Sequence, residues 1–343
     1  MLMKTPSRFL ALSALTILAF VSTAALGAQT TGAKAAEGEP PAAQGPEPPE
    51  PPELPDFAFI PGGEFIMGDT LDGDGKAPWH PVNVSAFYML TTEVCKDEWD
   101  EVRAWALLHE YPDLARGAGA GRAEVSEADG YPVQTLTWFD AVKWCNAKSE
   151  MEELTPCYYT DAAQTQVYRT GRTDLDDTMV KWSATGYRLP TEAEWEKAAR
   201  GGLRGKRFPW GNKISHSWAN FQNAGNEPYQ IGATGYHPNY NTGAVPFTAL
   251  VGSSSANDYG LYDMAGNVCE WCWDRYGSYP AWVEPDPPQK DPRGAAAGAY
   301  RVIRGGCWYS HARYCRVAQR FSCGDPSGAS YNVGFRLVRS ANP

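Results

Sequence analysis

GYRLPTEAEWEKAARGG, Gly186 to Gly202, holds both ends of a helix in one short run. Thr191 is placed to cap it, Glu194 three residues on to reach back to the cap, and Gly201–Gly202 to end it. The same grammar recurs upstream, where Thr137 and Asp140 open a second helix from Trp138 to about Met151. A further helical period runs from Lys96 through Ala106, but Cys95 stands where a Ser or Thr cap is expected. Before it, FAFIPGGEFIMGD, Phe57 to Asp69, alternates around Pro61-Gly62-Gly63 and predicts two short strands joined as a hairpin. VNVSAFYML, Val82 to Leu90, predicts a third strand.

Composition sets the class around these elements. With 343 residues and 43% hydrophobic content, there is enough apolar material for one sizeable core. Counts of 13 Trp, 18 Tyr and 34 Gly suit a loop-rich α+β domain, in which aromatics fill the core between glycine-permitted turns and helix is the minority. A net charge of −10 argues against nucleic acid and against an anionic membrane surface, since either needs clustered Lys and Arg.

The first residues read as a secretory signal: Lys4 and Arg8, the apolar run FLALSALTILAF, then small residues. That run is short of the roughly 20 residues a spanning helix needs, and no cysteine follows it to carry a lipid. Residues 1–27 are therefore expected to be removed, leaving a secreted, periplasmic or cell-surface protein with no membrane insertion. Residues 28–55, rich in Pro, Ala and Glu, form an expected extended tether; residues 56–340 form the expected domain, a monomer. Export would let disulfides persist among the eight cysteines. Cys269 and Cys272 make a Cys-x-x-Cys, but zinc would need a second pair or well-spaced histidines, and the five His are scattered.

Seven segments carry a resemblance. In order they are IPGGEFIMGD, YPVQTLTWFDAVKWCN, GYRLPTEAEWEKAARGG, FPWGN, NDYGLYDMAGNVCEWCWD, RVIRGGCW and NVGFRLV. Together, from about Phe57 to Arg339, the chain resembles the formylglycine-generating enzyme, or sulfatase-modifying factor, family. The resemblance implies a C-type-lectin-like α+β fold with little regular secondary structure, short sheets and two or more helices.

Asp263 and Glu270 flank a Gly-Asn turn, an arrangement that can aim two carboxylates at one hard cation. The resemblance implies calcium on Asp263, Glu270 and the carbonyls of Gly266 and Val268. It implies a second calcium at Asn220 and Phe221, although no acidic partner is evident between Gly235 and Val251. The alternative is that Asn267 and Glu270 simply hydrogen-bond a turn.

Enzymes of this family convert a sulfatase cysteine to formylglycine with O2 and with Cu(I) held by two thiolates. The family's pattern falls here on Gly305, Gly306, Cys307, Ser310 and Cys315, so Ser310 replaces the first copper cysteine. A hydroxyl is a poor Cu(I) ligand, and the paired thiolate cannot form as the family builds it. Cys307, or Cys269 in the usual place of a Trp, could supply the missing sulfur beside Cys315. An iron-dependent branch would need a His-x-x-x-His-x-Glu set, which is absent.

The C-terminal segment also resembles lectin-fold variable proteins diversified by retroelements. Trp308, Tyr309, Ser310, His311 and Tyr314 are its first candidate ligand-binding residues. Phe321, Ser322, Tyr331 and Asn332 follow, with Tyr as rigid contact area and Ser and Asn as adaptable partners. The preferred reading is an exported binding or accessory domain for a protein or peptide. The second is a copper-dependent formylglycine-generating oxidase using Cys315, Cys307 and Ser310. The first expects Tyr309, Tyr314, Phe321 and Tyr331 exposed on one face; the second expects Cys315 with a sulfur partner in an open cleft.

Overall fold

A computed structural model of the chain describes residues 52–120, 129–241 and 247–341, without the side chain of residue 323. The expected signal segment and nearly all of the expected tether lie outside the described residues. Among the described residues, no helix is long and apolar enough to cross a membrane.

Strands β1 (Phe57–Ile60) and β2 (Gly63–Met67) form where the alternation placed them, but they do not pair with each other. Instead β2 runs antiparallel to β3 (His80–Val84), and β1 antiparallel to β4 (Phe87–Leu90). The expected hairpin is thereby corrected, and so is the single strand expected over Val82–Leu90, which breaks at Ser85–Ala86. Both segments pass between sheets at one corner. A Cβ on Gly62 would stand 3.0 Å from the Ala86 nitrogen, so the close approach there needs glycine. Alternation decides which residues are extended; burial decides the partner, and Ile60, Val82, Val84 and Phe87 fill one core with Trp195.

The three helices match their expected bounds: α1 (Lys96–Ala106), α2 (Trp138–Met151) and α3 (Glu192–Ala199). Capping boxes close on α2 through Thr137 and Asp140 and on α3 through Thr191 and Glu194, while Cys95 makes no side-chain cap. Helix α3 is held by buried ion pairs. Glu196 meets Arg200 at 2.6 Å and Arg304 at 2.5 Å, Glu192 meets Arg320 at 2.6 Å, and Glu194 meets Arg188 at 2.7 Å. Such pairs add little net stability, but they allow few alternative registers, because breaking one strands a buried charge.

Three small sheets result. The first has order β1-β4-β10 (Val338–Ser340), and the second order β2-β3-β6 (Gln289–Lys290). The third runs β8 (Phe321–Gly324), β7 (Arg301–Arg304), β5 (Cys269–Arg275), β9 (Val333–Gly334). This last sheet brings the GNVCEW and GGCWYS segments side by side, with Glu270 opposite Arg304 and Cys269 opposite Val333. Trp99, Trp144 and Phe335 meet ring to ring beneath it.

Candidate functional site

Beyond β7 the chain turns at Gly305 and Gly306 into a loop and a short 3-10 turn, Ala312–Cys315. Gly306 has φ +76, and a Cβ there would lie 2.8 Å from Cys315 Sγ, so this backbone is pressed onto the cysteine. Cys315 is fully buried among Phe208, Phe221, Ala265 and Ala312, and burial pushes its thiol well up.

Ser310 is buried and turned inward. Its Oγ accepts the Cys307 N–H at 3.0 Å and lies 3.3 Å from Cys307 Sγ. Asn332 Nδ2 reaches the same sulfur at 3.6 Å, and the Tyr309 N–H and the Cys269 thiol also donate to it. Burial raises the Cys307 thiol, but these donors prevail and bring it down to about 7.

Cys269, Ser310 and Asn332 line one side of a cleft of about 300 Å³. Trp271 and Ile303 line it from the sheet, Tyr309 and Phe321 as aromatic walls, and Asp325, Gly328, Ala329 and Ser330 from the loop after β8. Ring contacts continue outward on both sides, from Tyr309 to Tyr331 at 6.0 Å and from Phe321 to Tyr314 at 6.0 Å. Tyr331 is 36% exposed, while Tyr309, Tyr314 and Phe321 are half-buried. Trp308 differs from them: it is 1% exposed, stacks on Phe247 at 4.4 Å, and supports Tyr309 edge-on from behind. His311 is half-buried and Ser322 exposed beside the cleft. Sequence reasoning missed Trp271 and Ile303, whose strand pattern reads as ordinary core.

A second polar cluster lies behind the sheet. Glu270 is fully buried and bidentate to Arg336, 2.7 Å on each arm, and accepts the Trp195 indole N–H at 2.7 Å. Asp263 Oδ2 accepts the Gly252 N–H at 2.7 Å, and its Oδ1 is buried with no partner. Facing it is Glu93, whose Oε1 accepts from Asn267 Nδ2 at 3.1 Å and whose Oε2 is likewise orphaned. Burial and then the Asp263 charge push Glu93 well up, and burial raises Asp263. Asp263 and Asn267 both sit at positive φ, 55 and 58 degrees, and with Gly266 make a tight turn. Asn220 Nδ2 donates to the Phe247 carbonyl at 2.9 Å, and the Phe221 carbonyl lies 3.1 Å from His216 Nε2. Glu93 was missed in the sequence; its only signal is a lone acidic residue between Thr91-Thr92 and Val94 ahead of α1.

Among the described residues, no group of three or more His, Cys, Asp or Glu side chains could hold a metal ion. No disulfide joins the seven described cysteines, so the pairing expected from export is not seen among them.

Comparison with known proteins gives one consistent family. Residues 43–341 match the Sulfatase-modifying factor enzyme 1-like domain. A formylglycine-generating enzyme of Streptomyces coelicolor is 33% identical over 82% of this chain and 88% of its own. A chaperone protein LppX of Paenibacillus barcinonensis is 30% identical over 83% and 89%. Among solved structures, Treponema denticola variable protein 1 superposes with TM-score 0.62 at 28% identity, covering 83% of this chain and 94% of that one.

Proposed function

The chain belongs to the sulfatase-modifying factor family, and from that premise we propose that it is an exported lectin-fold domain which binds a protein or peptide segment in the Tyr309–Phe321 cleft. One observation carries this reading: the four aromatics named from the sequence gather around an open cleft from which Cys315 is shut out. Flat, rigid rings supply contact area at low entropic cost, and the Ser and Asn side chains between them supply adaptable hydrogen bonds. Three half-buried rings and the exposed Tyr331, left partly uncovered around one cleft, favour an interaction site there.

The residues present do not fit the family's copper pair. Ser310 offers a hydroxyl already engaged with Cys307, and Cys315 is encased in apolar side chains with its thiol held protonated.

Calcium fits better, with Glu93 in place of Glu270. Two orphaned carboxylate oxygens in one buried cluster want a cation, whereas Glu270 is already neutralised by Arg336. Glu93 and Asp263 would hold the ion, with the carbonyls of Gly266 and Val268 as further donors. Calcium supplies charge neutralisation there, tying the segment before α1 to the turn that leads into β5, a structural role.

The binding reading is tested with a displayed library of extended peptides selected on the immobilised protein. Selected peptides are expected to lose about tenfold or more in affinity with Tyr331→Ala or Tyr309→Ala, as aromatic anchors do. Peptides bound equally well by both variants would remove the cleft from the account.

A further inference from the structure

Cys269 and Cys307 come from segments 38 positions apart and are brought sulfur to sulfur by the pairing of β5 with β7 and β9. Asn332 binds both: its carbonyl accepts the Cys269 N–H at 2.8 Å and its side chain donates to Cys307 Sγ. Both are buried, Cys269 at 4% and Cys307 at 1% exposure, but Cys269 lines the cleft and Cys307 does not. The two positions are thus unequal: one sulfur can be met from the cleft, the other only through the first. We propose that Cys269 and Cys307 are a redox couple in the cleft wall, oxidised to a mutual disulfide by low-molecular-weight disulfides that enter the cleft.

The exchange has two steps, each in line with ordinary thiol chemistry. Cys269 Sγ attacks one sulfur of the small disulfide, forming a mixed disulfide and releasing one thiol, which takes the Cys269 proton. Cys307 Sγ then attacks Cys269 Sγ; the second small thiol leaves with the Cys307 proton. Two electrons pass from the protein to the reagent, leaving one protein disulfide and two small thiols.

Geometry assigns the order. Cys307 Sγ stands behind Cys269, Tyr309, Ser310 and Asn332, all of which line the cleft and bond to it, so it resolves a mixed disulfide and does not start one. Closing the bond also takes away the acceptor shared by Ser310 and Asn332, and both of these side chains line the cleft. The oxidised cleft therefore offers two more hydrogen-bonding groups to an occupant. The couple does not depend on what that occupant is.

The test uses the full chain, reduced and then equilibrated in a glutathione buffer oxidising enough to convert dithiothreitol fully. Alkylation of remaining thiols and peptide mapping by mass spectrometry follow. The expected result is a Cys269–Cys307 linkage, reversed by dithiothreitol, with Cys307→Ser stopping at glutathione on Cys269 and Cys269→Ser leaving Cys307 free. Wild-type protein in which both remain free thiols, or in which Cys307 is linked to Cys315, would overturn the proposal.

Discussion

Ser310 Oγ lies 3.3 Å from Cys307 Sγ and also accepts that residue's backbone N–H, so the side chain that stands where the family has a copper cysteine is used as an internal brace. A hydroxyl can serve two such bonds and still present no soft donor to a metal.

Replacing that oxygen by sulfur should restore what was lost. Ser310→Cys is expected to raise Cu(I) affinity by at least about tenfold, roughly 1.4 kcal/mol, because it sets a second thiol beside Cys307 and near Cys315. Competition against a Cu(I) chelator reads it. Equal affinity in parent and variant would mean that Cys307 and Cys269 already hold the ion.

The buried pair of Glu270 and Arg336 makes a sharper demand on stability. Arg336→Met leaves the Glu270 carboxylate uncompensated at 0% exposure, and is expected to cost about 3–5 kcal/mol in urea unfolding. A loss under about 1 kcal/mol would show that Trp195 alone suffices to hold the carboxylate.

Asp274 sets a pH dependence. Burial first, then the charge of Glu192, holds its carboxyl well above the usual 3.8. The folded chain keeps that proton after the unfolded chain has lost it. This contribution is therefore fully present below the ordinary carboxylate range and is lost as pH rises toward the folded value. Asp274→Asn, which cannot ionise, should flatten the fall in stability as pH rises above the ordinary carboxylate range. Parallel slopes for variant and parent would contradict the assignment.

Calcium is expected to raise the melting temperature and chelator to lower it, since a ligand at a hundredfold excess over its Kd adds about 2.7 kcal/mol to the native state. Glu93→Gln and Asp263→Asn should each abolish most of the response. A full response in Glu93→Gln would return the role to Glu270.

What the sequence disclosed follows the range of the forces involved. Thr137 with Asp140, and Thr191 with Glu194, are contacts across three residues, and both capping boxes stand where they were read. The extended character of Phe57–Ile60 and Gly63–Met67 was equally local, but their partners in β4 and β3 were not, because pairing answers to a core assembled from distant segments. In the site, Tyr309 and Phe321 line the cleft but are half-buried where exposure was expected, and Tyr331 is exposed. Trp308 is buried: a Trp in a variable-looking loop reads as an anchor, yet Phe247 covers it from a segment more than 60 positions away. Glu93 stayed hidden for the same reason, its contact with Asn267 spanning 174 positions.

The proposed function requires that this domain bind without oxidising. Its most direct test is to incubate the copper-reconstituted protein in air with a peptide bearing Cys-x-Pro-x-Arg and to follow the peptide cysteine by mass spectrometry. In the wild-type sample, run beside a parallel Ser310→Cys sample, that cysteine is expected never to become formylglycine. Conversion of the cysteine to the aldehyde by the wild-type chain, over repeated turnovers and dependent on copper, would contradict it.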